Sequence, residues 1–158
     1  MLGLMEDYSK AVTQYFKSEA DHIILLGKEA DEIGGSEYLK QIFDIISGNP
    51  PLVDLDLELK LQKLIIELIE LGMVQSAHDC SDGGLLVCVA ESCFNPSNIW
   101  GVELNFAIKG IKSAAYFGES HGRIVISVKP ENVPETLKII KSHDYPYLEL
   151  GRVFARKS

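Results

Sequence analysis

The run His22-Ile23-Ile24-Leu25-Leu26 constrains this chain more than any other stretch. Bounded by Asp21 on one side and Gly27-Lys28 on the other, it is apolar at successive positions and lacks the alternation of a strand with one wet face. A strand of this kind must be covered on both sides, so the pattern calls for a sheet with helices above and below it. His22, at its start, reads as a strand-edge residue and not as a ligand.

Helices that can give this cover follow in the sequence. Leu39, Ile42, Phe43 and Ile46 recur at helical spacing behind Ser36, a good N-cap. Gly48-Asn49-Pro50-Pro51 then ends that helix, because neither proline can continue it. A second helix starts at Asp54 or Asp56 and runs to Gly72, which suits the left-handed position past a helix end. Leu57, Leu61, Leu64, Ile65, Leu68 and Leu71 share one face of it, while Lys60, Lys63, Glu67 and Glu70 fall largely elsewhere. Leu85-Leu86-Val87-Cys88-Val89-Ala90 continues a third helix, too apolar for a surface, which breaks near Asn95-Pro96-Ser97-Asn98. The second half is richer in strands: residues 102–108 alternate, residues 122–128 form another strand, and Tyr147-Leu148-Glu149-Leu150 with Val153 and Phe154 a last one. Between the last two, Pro130 opens a helix with Val133, Leu137 and Ile140 on one stripe. Trp100 is assigned to packing. Residues 1–20 show no period and read as a leader or interdomain segment, leaving residues 21–158 as one domain.

Charge narrows the partners. With 158 residues and a formal charge of -8, the chain carries no basic stripe, so neither nucleic acid nor an anionic membrane is expected as partner. Its apolar runs fall far short of the roughly 20 residues of a spanning helix, and the first residues lack a positive n-region, so a cytoplasmic protein is expected. Cys80, Cys88 and Cys93 are odd in number and lack metal-ligand spacing, which fits free thiols. A nucleophilic Cys80 beside His78 lacks a third, orienting group.

Three stretches carry the remaining chemistry. In Ser76-Ala77-His78-Asp79-Cys80-Ser81-Asp82-Gly83-Gly84-Leu85, a strand delivers polar groups to a helix mouth, where Asp82 or Ser81 can cap and the glycines let a ligand approach the backbone. Gly34-Gly35-Ser36 repeats that plan. Glu119, Ser120, His121 and Arg123 crowd between Gly118 and Gly122 at a loop-to-strand junction. Taken singly, the first two read better as ordinary capped helices, and the third equally well as a solvated loop. His78, Asp79 and His121 share no ligand spacing, so no metal set is assigned and Asp79 alone stays a metal candidate.

Taken in order, Gly34-Gly35-Ser36-Glu37-Tyr38, the stretch at residues 76–85 and Phe117-Gly118-Glu119-Ser120-His121-Gly122-Arg123 resemble the C-terminal domain of the aminoimidazole ribonucleotide synthetase superfamily. Within it the wording is most similar to phosphoribosylformylglycinamidine synthases of the subunit II type, in the second half of their tandem. The resemblance implies a three-layer α/β sandwich of mixed α+β type, with a mixed β-sheet and helices on both faces. It implies one domain of an ATP-dependent purine-biosynthesis ligase that turns formylglycinamide ribonucleotide into its amidine with glutamine-derived ammonia. ATP and Mg then belong to the full-length enzyme, no cofactor is expected for the isolated domain, and the partners are an N-terminal ATP-binding domain and a glutaminase domain or subunit. Self-association through a face left bare is expected as well.

Carried over by position, Gly34, Gly35, Ser36, His78, Asp79, Ser81, Asp82, Gly83, Gly84, Glu119, Ser120, His121 and Arg123 are pocket candidates, with no catalytic residue among them. Asp79 matches a metal-binding aspartate of the first half, and Glu119-Ser120-His121 its substrate-contacting triplet, although the family usually has glutamine where His121 stands. A noncatalytic nucleotide-binding or assembly module is the competing expectation. Selenophosphate synthetase, thiamine monophosphate kinase and the hydrogenase maturation factor share the domain type but differ at the second motif.

Overall fold

The computed structural model describes residues 4, 5 and 7–155. The apolar run forms β1 (His22–Leu26), and its alternating side chains point into two separate cores. Ile24 and Leu26 meet α2 (Leu55–Glu70) and α5 (Val133–Ser142) through Leu61, Leu64, Leu68, Ile139 and Ile140. Ile23 and Leu25 meet α3 (Gly84–Cys93) through Leu85, Cys88 and Val89, together with Phe16. Ile23, Ile24, Leu25 and Leu26 are fully buried, each worth about 2 kcal/mol of burial.

The sheet adds β2 (Val74–Asp79), β3 (Phe94–Asn95), β4 (Asn98–Leu104), β5 (Ile124–Val128) and β6 (Tyr147–Ala155), in the order β2-β5-β1-β6-β4-β3. The α+β class and the layers on both faces hold, but every pairing among the described residues is antiparallel, so the sheet is not mixed. The cause is topological. β1 and β2 run the same way with α1 (Glu37–Phe43) and α2 between them, as in a parallel βαβ unit, yet β5 inserts between them and pairs antiparallel with both.

Boundaries shifted where local geometry overruled periodicity. The helix expected through Ile46 stops at Phe43, because Asp44 takes a left-handed conformation (φ 55°) and its N–H closes the end; Ile46 is left 83% exposed. Asp54 caps α2 by accepting from the Leu57 N–H at 3.0 Å. The break at residues 95–98 is the turn of the β3–β4 hairpin, so β4 begins at Asn98 and its ladder ends at Leu104 and not at residue 108. A short helix, α4 (Lys112–Phe117), has no counterpart in the sequence-based reading. Before Asp21, Phe16 is fully buried, and its N–H and carbonyl are held by Ser92 and Asn95.

Candidate functional site

β2 and β5 pair so that Asp79 faces Ile124, and the Cys80 N–H extends the ladder to the Arg123 carbonyl at 3.0 Å. The loop after β2 and the loop before β5 therefore leave the sheet at one place. Between them and the first turns of α2 lies a cleft of about 400 Å³, lined by Asp79, Ser81, Asp82, Glu119, Ser120, His121 and Arg123 with Glu58, Leu61 and Cys80.

Glu119 ties all three motifs together. Its Oε1 accepts the Gly83 N–H at 2.8 Å and the Glu37 N–H at 2.9 Å, so one carboxylate oxygen satisfies the N-terminal turns of α3 and α1. This overturns the expected cap: Gly83 is the N-cap of α3, in left-handed conformation (φ 80°), and neither Ser81 nor Asp82 bonds that helix end through its side chain. Ser81 instead donates to Asp79, which holds the Asp79 carboxyl below the usual range.

The glycines also serve the chain itself. Gly84 sits at φ 69°, and a Cβ there would lie 2.5 Å from the Gly118 carbonyl oxygen. A Cβ on Gly34 would lie 2.4 Å from that of Asn49, whereas Gly35 (φ 71°) faces open space. Ser36 is buried and spent on α1, accepting from the Leu39 N–H and donating to the Ile33 carbonyl. The rings of Tyr38 and Phe117 stack at 4.7 Å and hold the first motif against the third.

Arg123 is 3% exposed and donates to the carbonyls of Gly118 (2.9 Å) and Ala115 (3.5 Å), while its Nε has no partner among the described residues. It acts as a clamp on the loop after α4. Ser120, on the same loop, has a buried hydroxyl with no partner among the described residues. Tyr145 donates to the Gly122 carbonyl at 2.9 Å and braces the same loop. His121 is exposed at the cleft wall.

His78 turns away from the cleft, its Nε2 lying 2.8 Å from Glu91 on α3. Sequence reasoning missed Glu58 and Tyr145, whose approach depends on how α2 and the chain before β6 pack; no local signal marks either.

With Glu58, Asp79, Asp82 and Glu119 around one committed arginine, the cleft by itself repels phosphate groups. Among the described residues no three His, Cys, Asp or Glu side chains converge as a metal set.

The chain is 41% identical over 157 residues to phosphoribosylformylglycinamidine synthase subunit PurL of Thermoanaerobacter sp. (strain X514), covering 99% of this chain and 21% of that protein. It is 42% identical over 153 residues to PurL of Caldanaerobacter subterraneus subsp. tengcongensis, covering 97% and 21%. The chain thus spans about a fifth of the length of these relatives. Among solved structures, T. maritima PurL complexed with FGAR superposes with a TM-score of 0.78 at 18% identity, over 94% of this chain and 26% of that one. E. coli HypE, a hydrogenase maturation protein, superposes with a TM-score of 0.64 at 18% identity, over 94% and 47%; both show the shared fold. The description "AIR synthase related protein, C-terminal domain" matches residues 19–158, and the chain belongs to that family.

Proposed function

We propose that this chain works as the C-terminal domain of a PurL-type phosphoribosylformylglycinamidine synthase, the ATP-dependent ligase that makes the amidine of formylglycinamide ribonucleotide with glutamine-derived ammonia. The observation that carries the reading is Glu119, which draws the first and second motifs onto the third around one cleft. Identity of about 41% to PurL proteins along nearly the whole chain supports this branch over the other enzymes with the same domain type. Ser120, His121 and the backbone of residues 81–83 form one wall of a nucleotide or substrate pocket, Arg123 and Glu119 hold that wall in shape, and Asp79 with Asp82 offers oxygens to a metal whose other ligands come from elsewhere.

The partners follow from what the cleft lacks. An N-terminal ATP-binding domain supplies the cations and metal ligands, and a glutaminase domain or subunit the ammonia; residues 1–20 are the segment leading in from that N-terminal part, and the protein is cytoplasmic. Ile42, Phe43, Ile45, Ile46, Leu52, Val53 and Leu55 are all exposed on α1 and the chain after it, a surface suited to lie against that N-terminal domain. No helix among the described residues is long and apolar enough to cross a membrane.

A second reading has its own observation. Glu119 and Arg123 are both committed to backbone groups, which favours a wall that holds a nucleotide without turning it over.

The test is a chimera in which residues 1–158 replace the corresponding segment of the Thermoanaerobacter relative. It is expected to form the amidine from formylglycinamide ribonucleotide with ATP and ammonia. A chimera that unfolds cooperatively yet has no turnover contradicts the proposal.

A further inference from the structure

We propose that Phe16 is a positioning residue for the cleft: with the strap of chain around it, it sets where α3 lies and so how Gly83 meets Glu119. Residues 12–21 wrap the sheet from one core to the other. Val12 packs against the α2–α5 core, and the Thr13 carbonyl accepts from the Ala77 N–H on the edge strand β2 at 3.1 Å. Phe16 then enters the α3 core, fully buried in one cluster with Cys80, Leu85, Cys88 and Val89. The strap closes on β6, where the Ala20 N–H donates to the Val153 carbonyl at 2.8 Å and the Asp21 carbonyl accepts from the Val153 N–H at 2.9 Å. Ala20 turns the chain into β1 at φ 68°, a conformation that a residue with a Cβ resists, so the bonds on either side of it hold the strap on its course.

Phe16 holds α3 from its C-terminal end. Its N–H donates to the Ser92 carbonyl at 2.8 Å, one of the acceptors that a helix end leaves without an internal partner, and its own carbonyl accepts from the Asn95 side-chain amide at 2.9 Å. At the other end of α3 the Gly83 N–H donates to Glu119 at 2.8 Å, and Gly84 leaves no slack, since a Cβ there would lie 2.5 Å from the Gly118 carbonyl oxygen. The helix between these two tethers has 10 residues, a length of about 15 Å. Packed in a dense core it moves as a stiff rod, so a displacement at Ser92 arrives at Gly83. Cys80 and Leu85, which flank the turn at residues 81–84, belong to the same cluster as Phe16, and its ring therefore supports that turn as well.

Phe16 is the one buried residue of positions 11–20, and the strap's other ties are backbone hydrogen bonds that any side chain permits. That is why the segment shows no period although it is part of the fold. What the strap means for turnover rests on the reading above, in which the cleft is a pocket wall and residues 1–20 lead in from an N-terminal domain: a shift of that domain then reaches Gly83 through Phe16 and α3. The coupling itself is a property of this chain and is measured without any activity. Glu37 provides the internal control, because its N–H meets the same Glu119 oxygen from α1, at 2.9 Å, on a path that does not pass through α3.

The test follows amide hydrogen exchange by NMR in the full chain, for the parent, Phe16→Leu and Asn95→Asp. Phe16→Leu thins the anchor, whereas Asn95→Asp removes the donor to the Phe16 carbonyl and keeps the oxygen that accepts the Ser97 N–H at 2.9 Å. Amides of β1 and β5 report global unfolding and give the factor by which each variant loses stability as a whole. Beyond that factor, exchange at Gly83 is expected to rise about tenfold in each variant and at Glu37 by less than about twofold. A Gly83 amide that changes no more than those of β1 and β5 would overturn the proposal. An equal excess at Gly83 and Glu37 would overturn it too, because the cleft would then loosen as a whole and not through α3. Asn95→Asp decides the matter by the same two criteria should Phe16→Leu not fold.

Discussion

At the scale of single residues, Glu119 does for the helices what a bound anion is usually invoked to do. Two backbone donors from two helix N-termini converge on one of its oxygens, and truncation would strand both inside the protein. Glu119→Ala is expected to lose on the order of 2–4 kcal/mol in urea denaturation, and Glu119→Gln, which keeps an acceptor oxygen, about 1 kcal/mol. Equal losses in the two variants would show that the bonds do not matter. Asp21 is a different case: it is 1% exposed, one carboxylate oxygen has no partner among the described residues, and burial pushes its pKa up to about 6 against Lys129 and Lys17 nearby. Because the folded pKa lies above the unfolded value near 3.8, the folded state binds the proton more tightly, so Asp21's contribution to stability is present below about pH 4 and is lost as the pH rises through about 6. Stability measured from pH 4 to pH 7 is expected to fall relative to Asp21→Asn by up to about 2–3 kcal/mol, and parallel curves would refute this.

The elements show how far the sequence could be read. A continuously apolar β1 announced two covered faces, and the two cores bear that out: Ile24→Ala and Leu25→Ala, pointing to opposite layers, should each cost about 2–5 kcal/mol in chemical denaturation. A loss confined to one of the two would mean that one layer is not a core. Caps and glycine stops set by local chemistry were legible, as at Ser36, Asp54 and Gly72 (φ 68°). What stayed hidden depends on contacts distant in sequence. Nothing near β1 says that β5 will enter between it and β2, and the same apolar run suits a parallel or an antiparallel neighbour. Three motifs pointed to one site, but the agent joining them, a side chain 82 residues beyond Glu37, has no local signature, and the expected Ser81 or Asp82 cap gave way to it. The helical spacing up to Ile46 was equally misleading, because Asp44 reverses the chain first.

For the molecule as a whole, two surfaces stand open. Along α1 and the following loop, large apolar side chains face solvent with no described residue above them, Ile46 at 83% and Leu52 at 82% exposure. Alone in solution the domain is expected to self-associate through this face, and the double variant Ile46→Glu, Leu52→Glu to be monomeric by light scattering with stability within about 0.5 kcal/mol of the parent. A parent that stays monodisperse and monomeric at high concentration speaks against it. The second surface is the cleft, lined by Glu58, Asp79, Asp82 and Glu119 beside Arg123, which the proposed function makes one wall of a pocket. That central claim is tested most directly by titrating the isolated chain with ATP and magnesium while following its backbone amide resonances. The account predicts shifts confined to Ser81, Gly83, Ser120, His121 and their neighbours, with an affinity no tighter than about millimolar. Sub-micromolar binding, or shifts centred away from the cleft, would contradict it.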